Sequence, residues 1–252
     1  MKVYIVGAGA GNPDWLTVHA DRLLRNAQIC IYAGSLVNPE ILELLPFDCV
    51  RYDSAHLCLE EIISICVDAH SKDTDVIRLH TGEPSIYGAI GEQMNALLEQ
   101  GIDFEMIPGI SAFQASAAAL RCELTAPEIA QTVILTRTAG RTPLPPEQEL
   151  VQLAVHKATL CIYLSTEHIE KICNQLTPFY GESCPAALVY HASWPDEIVI
   201  RGTLATLAVQ VGVAEIQRTA LILVGQALER PTIASKLYDS KFTHGYRNAS
   251  KS

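Results

Sequence analysis

A short apolar run, Lys2 to Val6, breaks directly into Gly7-Ala8-Gly9-Ala10-Gly11-Asn12-Pro13-Asp14-Trp15, and this leaves the chain few folds to choose from. The run has the length of a buried strand. The three glycines allow a tight turn with no side chain between backbone and ligand, and Asn12-Pro13 has the form of a helix cap followed by the first helical residue. The pattern predicts a strand, a ligand-binding turn and a helix from near Pro13, the opening of an α/β sheet.

Two ligand classes compete for such a turn. The dinucleotide fingerprint G-x-G-x-x-G needs an acidic residue about twenty positions later. Here the glycines run G-x-G-x-G, Asn12 stands in place of the third fingerprint glycine, and the second strand, Gln28 to Tyr32, ends in Ala33-Gly34-Ser35 without a carboxylate. A nicotinamide or flavin dehydrogenase is therefore the weaker reading. A Gly-rich first turn that binds nothing stays open at this point.

The 252 residues, 49% of them hydrophobic, suffice for one large or two small domains with a core. No apolar run reaches the length of a membrane span, and Met1-Lys2 runs straight into strand-like sequence, so the expectation is a cytoplasmic protein with no membrane partner. A net charge of −10 without a Lys/Arg cluster argues against a nucleic-acid partner. The eight cysteines form no C-x-x-C pair and several sit in apolar runs, which predicts core residues; His56-Leu57-Cys58 has no second ligand pair, so no protein-bound metal is expected.

Apolar runs alternate with helical patterns along the first half: strands at 3–6, 29–32, 49–52, 75–79 and 104–107, helices at 14–25, 59–69 and 90–100. That is the signature of βαβ units whose strand ends carry the ligand. Ala112 to Leu120 reads as a close-packed helix at the junction. Beyond it come strands at 132–136, 160–164, 186–190, 197–202 and 220–224, with helices at 147–154 and 167–176, a mixed sheet distinct from the first. The predicted domains are 1–112 and 113–252.

Two further segments concentrate polar chemistry. Arg78-Leu79-His80-Thr81-Gly82-Glu83-Pro84-Ser85-Ile86-Tyr87-Gly88 follows a strand, and Glu83, on a turn opened by Gly82 and Pro84, is placed to accept hydrogen bonds from a ligand. Thr136-Arg137-Thr138-Ala139-Gly140-Arg141 sets two guanidiniums in a polar loop, the local basic patch that an acidic protein needs for an anionic ligand.

The first turn, T-G-E-P-S-I-Y-G (81–88) and P-G-I-S-A-F-Q-A-S (108–116) together resemble the tetrapyrrole methylases. That family usually shows G-P-G-D-P after the first strand and G-D-P at the later turn, against Gly9-Ala10-Gly11-Asn12-Pro13 and Gly82-Glu83-Pro84 here. The departures keep the glycines and prolines that shape the backbone, and Glu for Asp keeps an acceptor one methylene longer. Tyr32-Ala33-Gly34-Ser35-Leu36-Val37, Ile134-Leu135-Thr136-Arg137-Thr138 and Ala192-Ser193-Trp194-Pro195-Asp196-Glu197 resemble one branch, which methylates a corrin precursor; Gly91-Glu92-Gln93 and Ser235-Lys236-Leu237-Tyr238-Asp239 agree.

The resemblance implies two α/β domains of the tetrapyrrole methylase type with the cofactor cleft between them, a homodimer, and S-adenosylmethionine as methyl donor, leaving as S-adenosylhomocysteine. By motif it implies cofactor contacts at Pro13, Thr81, Gly82, Glu83, Ile86, Ser111 and Ala112 from the first domain and Leu164, Ala192 and Ala220 from the second. A tetrapyrrole substrate rich in carboxylates would meet Arg137 and Arg141, hydrogen-bond Ser35 and Tyr87, and stack on Trp194. No side chain is assigned as catalytic, because the displacement needs orientation of an already activated methyl and no protein nucleophile. Methyltransferases of the same superfamily acting on other tetrapyrrole carbons, on ribosomal RNA or on an elongation-factor histidine stay open, as does a non-catalytic module holding a nucleotide or tetrapyrrole.

Overall fold

The computed structural model describes residues 1–140, 142–229, 241–243 and 245–248. Arg141 and the 235–239 motif lie outside them. The chain forms two compact units, one of Met1–Ser116 with His191–Glu197, the other of Ala117–Tyr190 with the described residues from Ile198 onward.

In the first unit, strands β1 (Val3–Gly7), β2 (Ile29–Tyr32), β3 (Val50–Asp53), β4 (Val76–His80) and β5 (Phe104–Ile107) form a five-stranded sheet among the described residues, in the order β3-β2-β4-β1-β5. Every pairing is parallel, with Val3 opposite Val76 and Phe104. Period-two alternation sends Val3, Ile5 and Val76 to one face and Val6, Ile77 and Leu79 to the other. The first face is covered by α3 (Leu59–Ser71) and α4 (Ile90–Glu99), the second by α1 (Val18–Arg25) and the short α2 (Pro39–Leu42). Cys30, Cys49 and Cys66 are buried in these layers.

The helix expected from near Pro13 begins later. Asn12 Oδ1 accepts from Asp14 N at 2.9 Å and closes only a single 3-10 turn, Pro13–Trp15. The α-helix starts afresh at Val18, where Thr17 Oγ1 accepts from Ala20 N at 3.2 Å. The first turn is thereby longer than its motif suggests.

The second unit carries a mixed sheet, β6 (Val133–Arg137), β7 (Thr159–Tyr163), β8 (Pro185–Tyr190), β9 (Ile198–Thr203) and β10 (Ala220–Val224), in the order β6-β7-β10-β8-β9. Only β6 and β7 run parallel among the described strands. Leu160, Ile162, Leu188, Ile222 and Val224 pack on Ile172 and Leu176 of α7 (Ile169–Tyr180) and on Leu207 and Val211 of α8 (Leu207–Val213). The sequence reading missed α8: Leu-Ala-Val-Gln-Val-Gly-Val has too many β-branched residues to announce a helix, which packing against this core supports.

Candidate functional site

The site candidate lies at the carboxyl ends of β1, β4 and β5. β1 and β4 are neighbours, yet the helices that follow them, α1 and α4, cover opposite faces of the sheet. Their outgoing loops leave toward opposite faces of the sheet, the arrangement at which open α/β sheets take ligands. The loops are fastened by backbone bonds: Ala8 N donates to His80 O at 2.7 Å, Gly9 N to Gly82 O at 3.2 Å and Gly82 N to Gly9 O at 2.8 Å.

Glycine is required where the strand ends meet. A Cβ on Gly7 would lie 2.6 Å from Gly109 N and 2.7 Å from Gly82 O, and one on Gly109 would lie 2.2 Å from Gly82 O. Three main chains touch there without side chains. A Cβ on Gly82, by contrast, would meet nothing within 4 Å, so its main chain faces open space that a flat ligand group can approach.

Glu83 ties this arrangement together. Its Oε1 accepts from Ser85 N at 3.0 Å and Ser85 Oγ at 2.6 Å, and its Oε2 accepts from Gly109 N at 2.9 Å. Burial acts to raise its pKa, but the bonds from Ser85 and Gly109 together outweigh burial and hold the carboxyl below its ordinary range. The carboxylate is thus a clip between the second and third loops.

The segment His191–Glu197 covers the first turn. Trp194 Nε1 donates to Ala10 O at 2.7 Å, and Asn12 N donates to Ser193 Oγ at 3.0 Å. The indole lies where a Gly11 Cβ would have to be, 2.0 Å from Trp194 Cδ1. One indole face stacks on His191, with centroids 4.6 Å apart, and His191 Nδ1 lies 2.9 Å from both oxygens of Asp196. From below, buried Asn38 donates to Gly11 O at 2.9 Å while its Oδ1 caps α2. Asn38 carried no motif; only its place before Pro39, as an N-cap, marked it in the sequence.

Of the expected cofactor contacts, Pro13, Thr81, Gly82, Glu83, Ile86, Ser111 and Ala112 fall on the three loops of the first unit, and Ala192, read from the sequence as second-domain, also belongs to it. Ser111 is 3% exposed at the start of α5 (Ala112–Leu120), its amide donating to Gln114 Oε1. In the second unit, Ala220 opens β10 and Leu164 follows β7 in a left-handed conformation, φ 53°, with its side chain 74% exposed. An exposed leucine held in a strained backbone contributes nothing to the core, which favours a ligand contact.

Of the expected substrate contacts, Ser35 sits exposed in a 3-10 turn after β2. Tyr87 is also exposed, with φ 56°. Arg137 donates to three carbonyls of its own loop, Thr138 at 3.3 Å, Thr142 at 3.2 Å and Pro143 at 2.9 Å, so it shapes the loop it was expected to arm. Arg141 lies outside the described residues.

Two buried polar side chains of β4 gave no sequence signal. Arg78 and His80 share the face of Val76 and are 7% and 5% exposed. Burial and the neighbouring Arg78 charge push the His80 imidazole down to about 3, so it is neutral near pH 7.

This geometry matches a known group of proteins. The family profile of the tetrapyrrole (corrin/porphyrin) methylases matches residues 2–208 of the chain. The chain belongs to the tetrapyrrole methylases. It is 48% identical over 252 residues to a cobalt-precorrin-4 C(11)-methyltransferase of Methanocaldococcus jannaschii, covering 99% of this chain and 97% of that one. It is 47% identical to a precorrin-4 C(11)-methyltransferase of Pseudomonas aeruginosa, covering 98% and 99%. The crystal structure of a cobalamin biosynthetic enzyme, cobalt precorrin-4 methyltransferase, superposes with a TM-score of 0.89 at 40% identity, covering 91% of this chain and 96% of that one. As a tetrapyrrole methylase the chain uses S-adenosylmethionine. The open main chain at Gly82 and the side-chain-free meeting of Gly7, Gly82 and Gly109 fit a ligand gripped by backbone groups.

Proposed function

We propose that this chain transfers the methyl group of S-adenosylmethionine to carbon 11 of precorrin-4 or cobalt-precorrin-4 in the making of the corrin ring, working as a cytoplasmic homodimer. The observation that carries the reading is identity near one half, end to end, with two enzymes bearing that name. Pro13, Thr81, Gly82, Glu83, Ile86, Ser111, Ala112, Leu164, Ala192 and Ala220 are the proposed cofactor contacts; Ser35, Tyr87, Arg137, Arg141 and Trp194 are the proposed tetrapyrrole contacts.

Bound S-adenosylmethionine supplies a methyl already activated on a sulfonium. Held by the proposed cofactor contacts, it would give that methyl to the enamine-like ring carbon and leave as S-adenosylhomocysteine, and the ring proton would pass to solvent. The chain's contribution is orientation: Glu83, through Gly109 and Ser85, holds two loops at fixed spacing, and the Trp194 cover immobilises the Gly9–Pro13 turn. A ring metal would be held by the macrocycle and asks for no ligand from these residues.

The test is calorimetric titration with S-adenosylhomocysteine and, as control, NAD. One-per-chain binding of the former alone, with a Kd of about micromolar order, is expected, since that corresponds to roughly 8 kcal/mol from a mainly polar, backbone-lined site. NAD binding in its place would overturn the methyl-transfer reading. Radiolabelled methyl incorporation into precorrin-4, with and without cobalt, then separates the two substrates.

A further inference from the structure

The loop from Glu83 to Ala89 is held at both ends, and only one end is explained by the motif. Near its start, Glu83 clips it to Gly109. Near its end, two non-glycine residues stand in the left-handed region, Tyr87 at φ 56° and Ala89 at φ 49°. Gly88 between them lies so close to Pro84 that a Cβ would come 2.1 Å from the Pro84 carbonyl oxygen. Left-handed residues of this kind cost about 1–2 kcal/mol each and persist only where their surroundings over-determine them.

The second anchor comes from beneath. Gln93 of α4, 7% exposed, donates through Nε2 to Ala89 O at 3.1 Å. Its Oε1 accepts from Arg78 Nε at 2.9 Å, and Arg78 Nη1 donates to Ile31 O at 3.3 Å. Because the guanidinium has no acceptor role, its grip on Oε1 fixes which way round the Gln93 amide stands and turns the NH2 toward Ala89. Among the described residues no carboxylate pairs with Arg78. A buried charge held only by neutral acceptors is destabilising, and a hydrophobic residue would serve the core better.

We propose that Arg78 and Gln93 are positioning residues: the buried guanidinium orients the Gln93 amide, which pins Ala89 and so fixes Tyr87 on the face presented to the tetrapyrrole. The proposal rests on the methyl-transfer reading for its substrate, while the pinning itself is independent of it. Neither residue touches substrate. They act on affinity for the macrocycle through Tyr87 and leave the Glu83 end, and the cofactor, in place.

Gln93→Glu tests this. It keeps the shape and the bond to Arg78 but cannot donate to Ala89 O. The expected result is a KM for the tetrapyrrole raised about tenfold with kcat and S-adenosylhomocysteine affinity changed less than about threefold, and chymotryptic cleavage after Tyr87 several-fold faster. Gln93→Leu, which forms neither bond, should move the same readouts in the same direction. Unchanged KM and cleavage, or an equal loss of cofactor affinity with the thermal midpoint, would overturn the positioning role. Should the unaltered protein turn over no tetrapyrrole, the functional reading fails, and the cleavage arm still decides whether Gln93 pins the loop.

Discussion

Gly7→Ala is expected to abolish S-adenosylhomocysteine binding and to lower the thermal midpoint of the protein by about 10 °C. The new methyl would stand 2.6 Å and 2.7 Å from Gly109 N and Cα and 2.7 Å from Gly82 O, all main-chain atoms. A flexible side chain would yield at little cost; these atoms yield only by moving whole loops against the β1–β4 and β1–β5 ladders and the Gly9–Gly82 bridge that hold them. Overpacking against rigid backbone costs about 3 kcal/mol, and in a protein of this size each kcal/mol moves the midpoint by about 2–4 °C. That movement displaces the second and third loops at Gly82 and Gly109, so binding falls further than stability. Gly91→Ala is the control: it lies in α4 with nothing within 4 Å of its Cβ position, and the helix gains about 0.5–1 kcal/mol. Calorimetric titration and thermal melting of both variants check this; equal behaviour of the two would show that the glycine contact is not rigid.

The second large effect is acid lability traced to one residue. His80 has a pKa of about 3 in the folded protein, against about 6.5 when unfolded, because it is buried and lies beside Arg78. Between those values the unfolded chain takes up a proton that the native chain refuses. The stability contributed by neutral His80 is therefore complete above pH 6.5 and is lost as pH falls, by about 3 kcal/mol at pH 4. Among the described residues His80 Nε2 has no hydrogen-bond partner, so no acceptor there rewards protonation. Urea midpoints of the unaltered protein should fall steeply from pH 6.5 to 4, and those of His80→Leu should fall with about one proton less in slope. Parallel curves for the two proteins would refute the assignment to His80.

The parallel sheet was legible because its central strands β1 and β4 are buried on both faces and its strands are short runs set between helical patterns, with Ile29–Tyr32 and Phe104–Ile107 expected to the residue. The loops were legible because only glycine fits where main chains touch. What escaped was long-range. Nothing local in Ala192-Ser193-Trp194-Pro195-Asp196 says that it packs on Gly11, since the partner lies more than 180 positions away. Glu83 and Arg137 were read as polar groups offered to a ligand, and their protein partners, Gly109 and the Thr142–Pro143 carbonyls, are fixed only by the folded loops. Arg78 and His80 sit in a strand whose alternation would place apolar side chains there, and periodicity gives no hint of what a buried charge is for.

The allegiance of His191–Glu197 sets an order of events during synthesis. The first unit is discontinuous in the chain, and the indole that occupies the space beside Gly11 arrives only after everything from Ala117 to Tyr190 has left the ribosome. A nascent chain ending near Ser116 has its sheet strands but lacks this cover, so Asn12 N has no Ser193 Oγ to donate to and Ala10 O no Trp194 Nε1 to accept from. The Gly9–Pro13 turn is therefore the part of the first unit completed last, and a chain cut short before Trp194 cannot hold it in its mature form.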